Sequence, residues 1–221
     1  MDRISDRVHA SLRADILAGT LAPGEPVPSE RRLAEDLGVN RHAVREALKR
    51  LEQAGLVTIS QGGATRVRDW RDSGGLEILL DLQSGTEPPA DLARSVLELR
   101  ASVGVDAARR CAERADDATL RGIAEMAERA AAAIGQDDLA VDVGYAELWR
   151  AVVLGSGNLA YRLALNSLMG ALAAYPEVAG VVRPAEPKRV RALGRALAAA
   201  DAGKAERAAR ALLEPDIGAF G

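Results

Sequence analysis

Apolar residues return every three or four positions along almost the whole chain, the period of helices that bury one face. Ile4, Val8, Leu12 and Ile16 mark the first such segment, predicted over residues 2–18. A stretch rich in Gly and Pro at 19–28 reads as a loop. Two short amphipathic segments follow. In the first, Leu33, Ala34 and Leu37 share a face; in the second, predicted over 41–54, Val44, Leu48 and Leu51 fall at i, i+4 and i+7. Gly38 frees the backbone to turn between them, and Asn40 is placed to cap the second helix by accepting from a first-turn N–H. Gly55 sits where that helix needs a left-handed residue to end. The period then changes. Leu56-Val57-Thr58-Ile59 and Thr65-Arg66-Val67 are short β-branched runs around the small-residue tip Ser60-Gln61-Gly62-Gly63-Ala64, the pattern of a hairpin.

Beyond a polar, glycine-rich junction at 69–75 and a short apolar helix predicted at 76–82, the pattern is helical to the end. Helices are predicted at 90–114, 117–134, 137–154, 159–174, 183–200 and 203–213, separated by turn signals that include Gly155-Ser156-Gly157-Asn158, Pro176 and Pro184. Aromatic residues are only 3% of the chain, so small Ala side chains must let helix axes approach closely to fill the core. The expected fold is mostly α. An N-terminal winged helix-turn-helix with a small β-hairpin wing spans 1–68, a linker 69–82, and an all-α helical bundle 83–221.

Charge changes the picture where it is local. The net charge of −3 argues against non-specific nucleic-acid binding. Residues 1–68, however, carry 11 Lys/Arg against 9 Asp/Glu, and residues 38–68 carry six against two. Arg41, Arg45 and Lys49 recur on one outward face of the second short helix, at i, i+4 and i+8. A cationic face opening at the N-terminus of the second helix of a helix-turn-helix is what a DNA major groove requires. A charged stripe can also be a plain solvated face; the hairpin wing that follows makes DNA binding the more specific conclusion. Cys111 is the single cysteine and no apolar run reaches membrane-spanning length, so a soluble, cytoplasmic protein is expected.

The head resembles the GntR family of bacterial transcription regulators. Ile16-Leu17-Ala18-Gly19, Leu21-Ala22-Pro23-Gly24, Pro28-Ser29-Glu30-Arg31, Leu37-Gly38-Val39, Val44-Arg45-Glu46-Ala47-Leu48 and Gly55-Leu56-Val57 carry the likeness. It implies a homodimer on a short pseudo-palindromic operator of double-stranded DNA. Arg31, Arg41 and Arg45 match the family's DNA-contacting arginines, whose forks suit guanine O6 and N7. Asn40, His42 and Ala43 fill neighbouring recognition positions, and Gln61 and Gly62 match the wing tip that approaches the minor groove. Arg31 could instead pair with Glu35 at i+4.

The larger domain resembles the effector domain of the FadR subfamily, through Leu97-Glu98-Leu99-Arg100, the Gly155–Asn158 turn and residues 197–201 with Ala205. That likeness implies a small-molecule effector, and within the subfamily a fatty acyl-CoA. Arg100, Tyr145, Trp149, Asn158, Tyr161 and Asn166 are the polar or amphipathic groups expected toward a cavity between helices, although Tyr145 and Trp149, one turn apart, could be plain core. No CoA-contacting C-terminal helix is evident; residues 212–221 break at Pro215 and stop. Many such domains bind a divalent metal through one Asp and three His. Here Tyr145, Trp149, Val190 and Leu212 stand at those positions and the only histidines are His9 and His42, so no metal or other cofactor is expected. An enzyme is not expected either: the larger domain has no histidine base and no phosphate-cradling loop, and Cys111 lacks a His partner. A repressor whose bundle only dimerises, or one answering to a non-lipid metabolite, remains compatible with these residues.

Overall fold

The computed structural model describes residues 4–60, 63–76, 78, 90–174 and 180–220. Gln61 and Gly62 lie outside them, as do Pro176 and most of the helix expected at 76–82. The chain divides into two compact units, Met1–Gly85 and Thr86–Gly221.

The first unit is built on three helices, α1 (Ile4–Leu17), α2 (Glu30–Leu37) and α3 (Arg41–Gln53). Val8, Leu12 and Ile16 of α1 share one core with Val44, Ala47, Leu48 and Leu51 of α3. Asn40 caps α3, its Oδ1 accepting from the Ala43 N–H at 2.8 Å. Helix α2 ends where Gly38 takes φ 63°, a left-handed conformation cheap only for glycine. The Val39 N–H then donates back to Ala34 O at 3.0 Å and the Val39 side chain packs on the core. This reversal explains why Leu37, which shares a face with buried Leu33 and Ala34, is 41% exposed: Val39 covers the core in its place. Helix α3 ends the same way, Leu56 N–H donating to Leu51 O at 2.9 Å with both side chains fully buried.

The wing strands are β1 (Val57–Thr58) and β2 (Arg66–Val67), antiparallel with Val57 opposite Val67. The stretch before α2, expected as a loop, lines the other edge of β2. Gly24 N–H donates to Val67 O at 2.9 Å, Val67 N–H to Glu25 O at 3.0 Å, and Val27 N–H to Thr65 O at 2.8 Å. Past Arg68 the chain stays on the same core. Asp69 caps α4 (Trp70–Ser73), the Ser73 hydroxyl donates to Gly55 O at 2.7 Å, and Ile78 is buried in the cluster.

The second unit is a helical bundle: α5 (Ala90–Arg114), α6 (Asp117–Ala133), α7 (Asp138–Gly155), α8 (Leu159–Ala174), α9 (Pro187–Ala198) and α10 (Ala202–Leu213). Asp116, Asp137 and Asp201 cap α6, α7 and α10 through their carboxylates. Leu120, Ile123, Leu148, Leu193, Leu197 and Leu213 meet in one core filled out by alanines. Small residues let α6 and α9 touch. A Cβ on Gly194 would stand 2.7 Å from that of Ala127. Helix α9 starts at Pro187, later than the expected 183, because proline fits a first helical position but cannot donate within a helix. The tail is the clearest correction. Instead of breaking off at Pro215, residues Glu214–Phe220 form a 3₁₀ helix against α5. Among the described residues strands occur only in the wing, and the molecule is mostly α.

Candidate nucleic-acid interface and ligand cavity

The exposed face of α3 holds Arg41, His42, Arg45 and Lys49. Asn40, also exposed, has its side-chain oxygen committed to the cap. Ala43 departs from expectation: it is 7% exposed, on the same buried face as Val44 and Ala47, and so offers DNA no side chain. Arg45 reaches from α3 to the first turn of α2, its Nε and Nη2 donating to the two Glu30 carboxylate oxygens at 3.0 and 2.8 Å. That fork holds the Glu30 carboxyl below its usual range. Arg31 pairs with Glu35 at 2.9 Å, the local alternative weighed for it, and Lys49 with Glu46 at 3.1 Å. Arg41 makes no ion pair among the described residues. Glu30 is a neighbour of Arg45 that sequence spacing could not reveal, since the two stand 15 residues apart. The pairs are exposed and therefore weak, so phosphate or a base edge can take over the arginine forks at small cost.

In the bundle a largely apolar cavity of about 230 Å³ lies among α5, α7 and α8, and Arg100, Tyr145 and Trp149 all line it. Tyr145 and Trp149 meet edge to face, their ring centroids 6.1 Å apart. Gly104 also lines it, and a Cβ there would come within 2.5 Å of Leu213. Val153, Leu165, Leu168 and Met169 supply much of the apolar wall. The polar groups are few. Arg100 Nη1 donates to Asp216 Oδ2 of the 3₁₀ tail at 2.7 Å, with side chains only 11% and 15% exposed. Burial pushes Asp216 up against the pull of Arg100. It also raises the Tyr145 hydroxyl, which Arg100 and Trp149 partly offset. The Trp149 indole N–H is buried and turned toward the Tyr145 oxygen without forming a hydrogen bond of normal geometry. Asp142 and Arg183, also lining residues, bind each other at 2.7 Å.

Three residues expected at the cavity lie elsewhere. Asn158 caps α8, its Oδ1 accepting from the Ala160 N–H at 3.0 Å. Tyr161 donates to Asp106 at 2.7 Å, in a cluster with Arg109 and Arg110. Asn166 is exposed. Polarity alone suggests the cavity for all three, but Asn158 precedes α8 as its cap, Tyr161 turns to Asp106 of α5 and Asn166 faces solvent. Asp216 and Arg183 carry no local sequence signal, and only tertiary structure brings them to α5 and α7.

Among the described residues no three His, Cys, Asp or Glu side chains come together as a metal site. Tyr145, Trp149, Val190 and Leu212, at the positions where related domains place ligands, are buried and offer no imidazole or carboxylate. Cys111 is buried among apolar groups, its thiol pushed up to about 11, the opposite of an activated nucleophile.

Comparison with known proteins agrees with this architecture. The bacterial regulatory protein gntR family matches residues 4–67, and the FCD domain matches residues 95–214. The HTH-type transcriptional regulator Mce2R of Mycobacterium tuberculosis is 37% identical over 221 residues, covering 96% of this chain and 89% of that protein. A fatty acid metabolism regulator protein of Salmonella paratyphi B is 32% identical over 149 residues, covering 67% of this chain and 60% of that protein. Among solved structures, that of Lar from Listeria monocytogenes superposes with a TM-score of 0.62 at 15% identity, covering 100% of this chain and 97% of the other, a likeness of fold. The chain is a DNA-binding transcription regulator, not an enzyme, and it belongs to the GntR family in the branch that carries a FadR-like FCD domain.

Proposed function

We propose that this regulator works as a cytoplasmic homodimer whose two α3 helices enter successive major grooves of a short pseudo-palindrome. In this reading Arg41 and Arg45 read bases, and His42 and Arg31 lie at the edge of the contact. Exposed Leu139, Val143, Leu154, Leu159 and Leu163 on α7 and α8 give a second copy apolar surface to bury. Residues 1–68 would serve as the reading head, 69–82, whose described part packs on the head core, as the joining segment, and 83–221 as the effector and dimerisation domain. Occupancy of the bundle cavity would alter operator affinity by favouring one arrangement of the heads over another, which requires that the ligand bind the two arrangements unequally.

The observation that carries the effector reading is the cavity itself, apolar along its walls with Arg100, Tyr145 and the Trp149 N–H as its polar anchors. An acyl-type molecule matches that division, and the fatty acid metabolism regulator among the relatives makes a fatty acyl-CoA the first effector to test. The test is fluorescence anisotropy of a labelled operator with and without long-chain acyl-CoA, free CoA serving as control. A fall of at least tenfold in operator affinity with acyl-CoA, and not with free CoA, would support that assignment. Unchanged affinity in a folded dimer would overturn the acyl-CoA assignment and favour a bundle that only dimerises or answers to another metabolite.

A further inference from the structure

The polar end of the cavity holds an arrangement that apolar packing does not explain. Arg100 lines the cavity, yet its partner carboxylate comes from Asp216, 116 residues along in the terminal 3₁₀ helix. The other lining ions, Asp142 and Arg183, satisfy each other. Trp149 is 6% exposed and its indole N–H makes no hydrogen bond of normal geometry. Leaving a buried donor unmade costs about 1–3 kcal/mol, so an acceptor better placed for Trp149 than the Tyr145 oxygen would be favoured there. A guanidinium, a phenol and an indole N–H are together a carboxylate-binding set.

We propose that Asp216 is a built-in occupant of a carboxylate subsite, and that the effector is an apolar monocarboxylate that displaces it from Arg100 and releases the 3₁₀ tail. The proposal rests on the reading above in placing an effector in this cavity, and it puts the free acid there in place of the acyl-CoA. Its size follows from the cavity. A void of about 150 Å³ takes benzene, so about 230 Å³ takes roughly nine or ten non-hydrogen atoms, the size of octanoate. The ligand's carboxylate would replace Asp216 on Arg100 and also offer Trp149 a better-placed acceptor, while its chain covers Val153, Leu165 and Leu168. The tail carboxylate brings only the first of these. Because the docked tail keeps part of the population closed to ligand, removing its charge should tighten ligand binding by the inverse of the open fraction.

The test uses the full-length chain carrying Trp70→Phe, which leaves Trp149 as the only tryptophan. Octanoate should change its emission saturably, with octanol and octanoyl-CoA at least thirtyfold weaker. Asp216→Asn should tighten octanoate about tenfold and leave octanol unchanged. In the wild-type chain, octanoate should speed amide hydrogen exchange across 214–220, a readout that does not depend on any variant folding. The absence of a saturable octanoate response, equal binding of octanol, preferential binding of the CoA thioester, an Asp216→Asn chain no tighter for octanoate, or slower exchange in the tail would each overturn the proposal. These measurements contain no DNA. If they succeed while operator affinity ignores octanoate, the subsite stands and effector control falls; if they fail while another metabolite releases DNA, the reverse holds.

Discussion

Two arginine–carboxylate pairs, one in each unit, show how surroundings set what the same chemistry can do. Arg45 and Glu30 make a two-pronged contact on the head with side chains 54% and 28% exposed. Arg100 and Asp216 make a single 2.7 Å contact in the bundle, 11% and 15% exposed. Water screens the first pair, so parting it is cheap and the guanidinium can be handed to DNA. The second pair has lost its water, so parting it is costly unless another carboxylate or the tail's own departure compensates. In the proposed reading the head therefore carries a surface suited to exchange, and the bundle a site that would answer only to a ligand replacing what it removes.

Arg100→Ala should break this comparison most strongly. It leaves the Asp216 carboxylate without its cation and should lower bundle stability by about 2–3 kcal/mol, undocking of the tail keeping the loss below that of a fully trapped charge. Urea unfolding followed through Trp149 measures it. Next comes Arg45→Ala, which should cost about 1–3 kcal/mol in operator binding and relax preference at one base pair, with little change in stability.

Acid should separate the units through His9. Burial on α1, reinforced by Arg50 and Arg13 against a smaller opposing pull from Asp6, lowers its pKa to about 4 from 6.5. The unfolded chain then binds the extra proton first. Stability is fully present above about pH 6.5, falls as pH drops through that value, and stops falling below about 4. The head should lose about 1–2 kcal/mol between pH 7 and 5. The bundle contains no histidine and should be spared this loss. Thermal unfolding at the two pH values, with His9→Gln flattening the difference, checks it. Smallest of all, Glu30→Gln should free Arg45 and tighten operator binding about threefold at low salt, while changing stability by less than about 0.5 kcal/mol. Anisotropy titration across a salt series would show it.

Much of this fold was legible because its signals are local. The Asn40 cap, the Gly38 and Gly55 stops and the helical periods all act within one or two turns, where side-chain and backbone chemistry decide the outcome alone. What stayed hidden depends on residues distant in sequence. No local pattern says that residues 24–27 line β2, that Glu30 meets Arg45, or that Asp216 returns to Arg100. Helical period also gives a face but not which neighbour covers it. Tyr145 and Trp149 share a buried face and both line the cavity, so core residue and cavity wall proved compatible. Polarity without period misled: Asn158 spends its side chain on a cap, and Tyr161 on Asp106.

The central claim, that α3 reads sequence through Arg45, is most directly tested by selecting binding sites from random DNA with the wild-type protein and then comparing Arg45→Ala on the selected and random pools. The account predicts a short pseudo-palindrome with two equivalent half-sites, and a variant that loses affinity for it while holding random DNA nearly as before. Enrichment of no common sequence, or equal weakening on both pools, would make Arg45 a phosphate contact at most and contradict the account.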